Sequence, residues 1–405
     1  MFPAKNGGSI IEVNQRAMRL CYVLLSPTFG MHQYASDLAN RMAQLGHEVH
    51  LVTTTTYPRD RYLGAVTVHT PVTLHNTGFS REALNWRDVR RVLAAIESLD
   101  ADVIHFTGPH VWNAPLVKSL ARRHGAVVHS LHDLDPHAGT RYGLFLRLWN
   151  RLILRWANHI LVHGEAYRDR LLNMGLAPDR VTHTPLLHLF VRPECRKTLT
   201  AQLATATQFQ PWALFFGRLE HYKGVAHLLT AAAMMSASNG DHTQIVLAGP
   251  GDLSKVWVGP VPSNVEVRNR FISDDEAVDL FRRCSLVVLP YIDATQSALV
   301  AAAYYFRKPV VVTRTGVLPE YVEEDQTGRV VEPGHPASLA RCLEEMLSDP
   351  VRLVQMGAAG RNWYDAYREI EMTNLLEMYE AVARARLVSS VRKANLSVTA
   401  HKRNG

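Results

Sequence analysis

"LFFGRLEHYKG", Leu214 to Gly224, decides how the rest of the chain is read. Its first residues form a short apolar run that stops at Gly217. Arg218, Lys223 and Gly224 follow. An apolar run of this length, ended by glycine, reads as a buried strand. In parallel α/β sheets, ligands bind beyond the carboxyl ends of the strands. The two cations therefore stand where a ligand would. Arg218 can fork two oxygens of a phosphate, and Lys223 can add a point charge. The alternative is a solvated loop carrying two cations by chance.

The pattern around this stretch repeats. Downstream, "QIVLAGPG", "VEVRNRFI", "LVVLP", "PVVVT" and "GRVVEP" read as strands, alternating with helices over 225–235, 274–284 and 295–306. Upstream, "RLCYVLLSP" (Arg19–Pro27) is a strand. Tyr34, Leu38, Met42 and Leu45 then recur at helical spacing, Gly46 ends that helix, and "EVHLVT" is the next strand. "VIHF", "AVVHSLHD", "HILVHG" and "RVTHTP" continue the series, with a helix near 114–124. Strands alternating with helices predict parallel sheets covered on both faces. The expected organisation is a first Rossmann-like domain over 18–190, an irregular linker over 191–210 and a second such domain over 211–362. A helix over 363–385 packs back on the first domain, and a basic, disordered tail spans 386–405. The fold class is α/β, with two parallel-sheet domains facing a cleft.

The bulk properties agree with a globular chain. It has 405 residues, 47% of them hydrophobic and 20% charged, and a net charge of +7, which suits an anionic partner. Four separated cysteines, Cys21, Cys195, Cys284 and Cys342, predict buried thiols in a reducing compartment rather than a disulfide framework or zinc site. The first residues lack a signal-peptide pattern, and no apolar run is long enough to span a bilayer. Nucleic-acid binding rests on charge alone, because aromatic residues do not interleave with the basic ones.

Other loops add to the phosphate reading. "AGPGD" (Ala248–Asp252) follows a strand, so Gly249 and Gly251 can admit a nucleotide. "YIDATQSA" places a helix start near Thr295–Ala298, where free N–H groups and the helix dipole attract phosphate. "SPTFGMHQ" forms a comparable loop around Gly30. Together with "GHEVHLVT", "TGVLPEYVEE" (Thr315–Glu324) and "GRVVEPGHPASLA", these stretches resemble the retaining glycosyltransferases of family 4, which have the two-domain GT-B architecture. The resemblance runs from about Met18 to Ala383, and its most specific piece is the loop Phe215–Gly224.

The resemblance implies transfer of a sugar from a nucleotide sugar, expected to be UDP-linked, to a glycan or lipid-linked acceptor in cell-surface polysaccharide synthesis. It implies a donor diphosphate bound by Gly30, Arg218, Lys223, Gln296, Ser297 and Ala298. It places the nucleoside near Gly249, Gly251, Arg270, Phe271 and Ile272. His132, at a strand end, is the active-site histidine it implies, and His110 is a candidate for the acceptor side. The family has two glutamates, spaced E-x7-E, before "KPVV". Here those positions are Ala294 and Ala302. Asp293 is then the acidic residue left for the first role, and the ribose-binding role has no evident holder. These losses motivate a second reading, a weak or inactive sugar-nucleotide-binding subunit. An epimerase or a phosphorylase sharing the fold is a third; no acid/base carboxylate pair and no cofactor-lysine motif supports either. "DLD" (Asp133, Asp135), with His132 and His137, imitates a metal motif. With cations and a helix start to neutralise a leaving diphosphate, the expectation is no metal and no cofactor beyond the nucleotide sugar.

Arg141–Leu161 is the last feature. Arg141, Arg147, Arg151 and Arg155 share one arc of a helix, and Phe145, Trp149, Leu152, Trp156 and Ile160 share another. Such a helix can lie on an anionic bilayer, giving a cytoplasmic protein peripheral to the inner membrane face. It can equally be a core helix whose arginines meet water.

Overall fold

The computed structural model describes residues 16–76, 84–134, 143–205, 211–239 and 244–401. The first domain is built from β1 (Arg19–Leu24), α1 (Phe29–Gln44), β2 (Glu48–Thr54), β3 (Val66–Val72), α2 (Trp86–Glu97), β4 (Val103–Phe106) and α3 (Asn113–Arg123). It is completed by β5 (Val127–Ser130), α4 (Gly143–Trp156), β6 (His159–Val162), α5 (Glu165–Asn173) and β7 (Val181–His183). α6 (Arg196–Thr205) lies in the linker. The second domain holds β8 (Ala213–Phe216), α7 (Val225–Asn239), β9 (Ile245–Ala248), β10 (Val265–Arg268), α8 (Asp274–Arg283) and β11 (Leu286–Leu289). α9 (Leu299–Tyr305), β12 (Val310–Thr313), β13 (Gly328–Val331), α10 (Pro336–Leu347) and α11 (Pro350–His401) follow.

Two parallel sheets result, ordered β3-β2-β1-β4-β5-β6-β7 and β10-β9-β8-β11-β12-β13. β1 shows why its sequence is apolar throughout. Leu20, Tyr22 and Leu24 enter one core and Cys21 and Val23 the opposite one, so both faces of the strand are buried. In each sheet the order reverses beside the first strand, and the loops after β1 and β8 open at these switch points.

The sequence reading differs from the structure in several places. The linker contains α6, because Leu199 and Leu203, one turn apart, are buried against the second core. α9 begins at Leu299 rather than Thr295. The capping residue, Ala298, makes no side-chain bond, and Ser297 Oγ, just before it, accepts the Leu299 N–H (3.3 Å). α11 extends to His401 where a disordered tail was expected; from Arg361 to His401 the chain has neither glycine nor proline to break it. Cys195 is exposed, in a single turn of the linker, whereas the other three thiols are buried.

α11 returns to the first domain. Leu375, Leu376, Met378, Tyr379 and Val382 join the core beneath α1. Beside them, Asp37 on α1 accepts from Arg196 (2.6 Å) and Arg368 (2.8 Å), and Glu371 accepts from Arg41 (2.7 Å) and Arg368 (2.8 Å). Burial alone would raise the Asp37 carboxyl, but Arg368, Arg196 and Arg41 hold it well below the usual range. Across the domains, Glu320 accepts from the N–H groups of Glu165 (2.7 Å) and Ala166 (3.0 Å) at the start of α5. Tyr321 Oη donates to His163 O (2.6 Å), and Arg61 pairs with Asp274 at the start of α8.

Candidate functional site

A cavity of about 720 Å³ lies between the domains. The first domain contributes Gly30 and Met31 at the start of α1, and His132 and Asp133 after β5. The second contributes Arg218 to Tyr222, except Leu219, after β8, and Gln296 to Ala298 before α9. Among the sequence-predicted residues, Gly30, His132, Arg218, Gln296, Ser297 and Ala298 meet there.

The loop after β8 is fixed from within. Leu219 points into the core (3% exposed). Arg218 and Glu220 lie on either side of it along the chain and both face the cavity, where Arg218 Nη1 donates to Glu220 Oε1 (2.8 Å). Tyr222 O accepts from Ile292 N (2.8 Å) and Asp293 N (3.3 Å), tying this loop to the one before α9. Gly224 closes the turn at φ 69°; a Cβ there would lie 1.8 Å from Pro290 O. Lys223 does not line the cavity but sits behind it. Its Nζ donates to Tyr291 Oη (2.9 Å), which lies 3.5 Å from Ser297 Oγ. Burial would lower the Lys223 pKa, but Tyr291 and Tyr222 outweigh it, and the ammonium is held above its ordinary value.

His132 is buried. A carbonyl can only accept, so its Nε2 donates to Thr107 O (2.9 Å). Burial lowers the ring's pKa, leaving Nδ1 bare, and Gln296 Nε2 donates to it (3.2 Å) across the domain boundary. Tyr34 stands edge-on to His132, His163 and His188, with ring centroids 5.0, 5.1 and 5.8 Å away. Its hydroxyl meets Ser130 Oγ (2.9 Å). Ser130 meets His105 (2.8 Å), which in turn meets Tyr379 of α11 (2.7 Å).

The remaining predicted residues fall outside the cavity lining. Asp293 has its N–H held by Tyr222. Gly249 packs backbone against backbone; a Cβ would lie 2.0 Å from Gly217 O, and one at Gly251 would meet Leu219. Arg270 pairs with Glu276 (2.6 Å), Phe271 is exposed and Ile272 is buried. His110 is buried against Trp112 and accepts its N–H (3.2 Å); burial lowers its pKa to about 4. Ala302 is 1% exposed in the second core, so no carboxylate reaches the cavity from that position. The sequence reading missed His188, Glu220 and Asp133 as cavity residues. Among the described residues no group of three or more His, Cys, Asp or Glu side chains could hold a metal; Asp135 and His137 lie outside them.

Two family models match this chain, Glycosyltransferase Family 4 over residues 30–186 and Glycosyl transferases group 1 over residues 210–349. D-inositol 3-phosphate glycosyltransferase 1 of Catenulispora acidiphila is 26% identical over 383 residues, covering 83% of this chain and 88% of that protein. The alpha-maltose-1-phosphate synthase of Mycobacterium tuberculosis is 25% identical, covering 66% and 78%. Among solved structures, Anabaena HepE in complex with UDP superposes with a TM-score of 0.65 at 16% identity, over 88% of this chain and 98% of that one. The Thermosynechococcus elongatus sucrose-phosphate synthase gives 0.63 at 18% identity, over 93% and 99%. The fold is that of the GT-B glycosyltransferases. The chain belongs to glycosyltransferase family 4 and is a glycosyltransferase.

Proposed function

We propose that this enzyme transfers a sugar from a nucleoside diphosphate sugar, expected to be UDP-linked, to a glycan or lipid-linked acceptor with retention of anomeric configuration. The observation that carries the reading is the convergence of Arg218, the loop before α9 and His132 on one interdomain cavity. HepE was crystallised with UDP and with UDP-glucose, which supports the donor class. Arg218 and Lys223, with Ser297, Ala298 and the Gly30 turn, would hold the diphosphate. The C1–O bond breaks with oxocarbenium character while these groups stabilise the departing phosphate. The acceptor hydroxyl attacks from the same face, and its proton passes to the leaving phosphate. His132, buried and held by Thr107 O, would face the sugar. Asp293, next in the chain to the lining loop, is the acidic residue proposed for the reacting centre. The nucleoside would lie toward Gly249, Gly251 and Arg270–Ile272, and His110 toward the acceptor side.

The reading extends to cell-surface polysaccharide synthesis on the cytoplasmic face of the membrane. On α4, Leu144 (82% exposed), Phe145 and Leu148 lie open beside Arg147 and Arg151, as an interfacial helix requires. Trp149 is buried instead, Ile160 belongs to β6, and Arg141 lies outside the described residues. Among those residues no helix is long and apolar enough to cross a membrane.

The test is calorimetric titration with UDP, GDP and ADP in EDTA, for the wild type and the Arg218→Ala/Lys223→Ala double variant. One nucleotide should bind, and the double variant should lose it. No binding by the wild type defeats the reading. Binding without turnover against a panel of sugars and acceptors favours the second reading, a non-catalytic subunit, which Ala294 and Ala302 motivate.

A further inference from the structure

We propose that Gln296 and His188 read hydroxyl groups of the transferred sugar, and that Gln296 takes no part in holding the diphosphate. The inference rests on the donor-site reading above and moves Gln296 from the phosphate side, where the sequence placed it, to the sugar side.

The amide's orientation follows from its neighbours. Thr107 O requires the proton of His132 at Nε2. Burial lowers the ring's pKa and so favours the neutral form, in which Nδ1 accepts and Gln296 turns its NH₂ toward it. The oxygen is left over. Gln296 Oε1 is buried without a hydrogen-bond partner among the described residues. A phosphate offers only acceptors at neutral pH and cannot satisfy that oxygen; a sugar hydroxyl offers the proton it lacks.

His188 faces the same cavity from the linker side and is 9% exposed. Its Nδ1 also has no partner among the described residues. Burial lowers its pKa to about 3, so the ring is neutral and offers one donor and one acceptor, the complement of a hydroxyl. Tyr34 packs edge-on against both His132 and His188, so the two rings hold a fixed relation. A buried polar atom without a partner is costly and rare in native structures. Both atoms belong to neutral side chains that line one cavity; each is itself closed off from solvent, so a small rotation of the side chain would present it to a neutral, hydroxyl-bearing group there. The charges sit elsewhere in the wall, on Arg218 and behind it on Lys223.

The experiment uses the full chain and calorimetry with UDP, GDP and ADP, each beside its sugar conjugates (UDP-glucose, UDP-galactose, UDP-N-acetylglucosamine, GDP-mannose, ADP-glucose). The wild type should bind one conjugate more tightly than the free nucleotide. Gln296→Leu should leave free-nucleotide affinity within about twofold and weaken that conjugate about tenfold, the size of one hydrogen bond. His188→Phe, which keeps the ring against Tyr34, should do the same. A second measurement needs no variant. Deoxyfluoro analogues of the conjugate should show one position whose loss reproduces Gln296→Leu and adds nothing to it. Equal weakening of nucleotide and conjugate would return Gln296 to the diphosphate. Unchanged binding of both, or a wild type that binds conjugate no better than nucleotide, would overturn the proposal while leaving the donor-site reading intact. A wild type that binds no nucleotide overturns that reading itself.

Discussion

Glu220 sets up a competition at the mouth of the site. Its carboxylate lies 2.8 Å from Arg218 Nη1, and the two side chains are 34% and 65% exposed. An incoming diphosphate must take the guanidinium from Glu220 and come to rest beside a like charge. A pair this exposed contributes about 0.2–1 kcal/mol. The repulsion between carboxylate and phosphate in a partly wet cleft is of similar size. Glu220→Gln removes most of both, so nucleotide affinity should tighten by about 1 kcal/mol, roughly fivefold in Kd. The gain should shrink at high salt, since exposed charges are screened. In calorimetric titrations of the wild type, Glu220→Gln, Arg218→Ala and the double variant, part of the gain should vanish when Arg218 is absent, because the competition for its guanidinium is gone. If Glu220→Gln instead weakens binding as Arg218→Ala does, the competition argument is wrong. Glu220 then positions the arginine or binds the ligand itself.

Three further outcomes follow from burial and charge. Burial lowers the pKa of His32, His110 and His159 to about 4, and of His129 and His188 to about 3. Unfolded histidines take up protons near pH 6.5 and these do not until well below it, so stability should fall as pH drops from about 6.5 toward 4, with more than one proton taken up on unfolding; a Tm flat from pH 6.5 to 5 would contradict this. Ala302→Glu should not restore a family-like site: the residue is 1% exposed in the core, a buried unpaired carboxylate costs several kcal/mol, and thermal unfolding should show a large loss of Tm with no gain in nucleotide affinity. The full chain should sediment with vesicles containing phosphatidylglycerol but not with purely phosphatidylcholine ones, and Leu144→Ser/Leu148→Ser should reduce that binding roughly thirtyfold or more, since each leucine buries apolar area worth on the order of 1 kcal/mol or more; equal binding to neutral vesicles, or no effect of the double variant, would remove the membrane role of α4.

Much of the fold was legible because its signals are local. Apolar runs such as "ALFF" and "IVLA" need both faces covered, and Gly217 and Gly249 at their ends mark where the loops open. Two misreadings share one cause: a helix boundary or a linker helix depends on one side chain finding a partner. The Leu299 N–H turns to Ser297 Oγ ahead of α9, and Leu199 and Leu203 turn polar linker into helix. The site was legible only in part. Arg218 could be placed because it follows a strand and its closing Gly217. Glu220 carried a readable signal that was missed: in an extended loop, residues i and i+2 point the same way, so the carboxylate had to share the cavity with the arginine once Leu219 turned inward. His188 carried none, since its segment has no periodicity and its neighbours come from distant parts of the chain. Gln296 shows the limit most sharply. Its contact with His132 spans 164 positions, and the free end of its amide is decided by a carbonyl, Thr107, that the sequence cannot aim. Positions 294 and 302 carry alanine, and the polar groups that this cleft does present come from loops that meet only when both domains are folded. Gln296, half-buried in such a loop, can be substituted with little cost to either core, whereas His132 and His188 pack on the core residue Tyr34 and bind any change of recognition there to the stability of the fold.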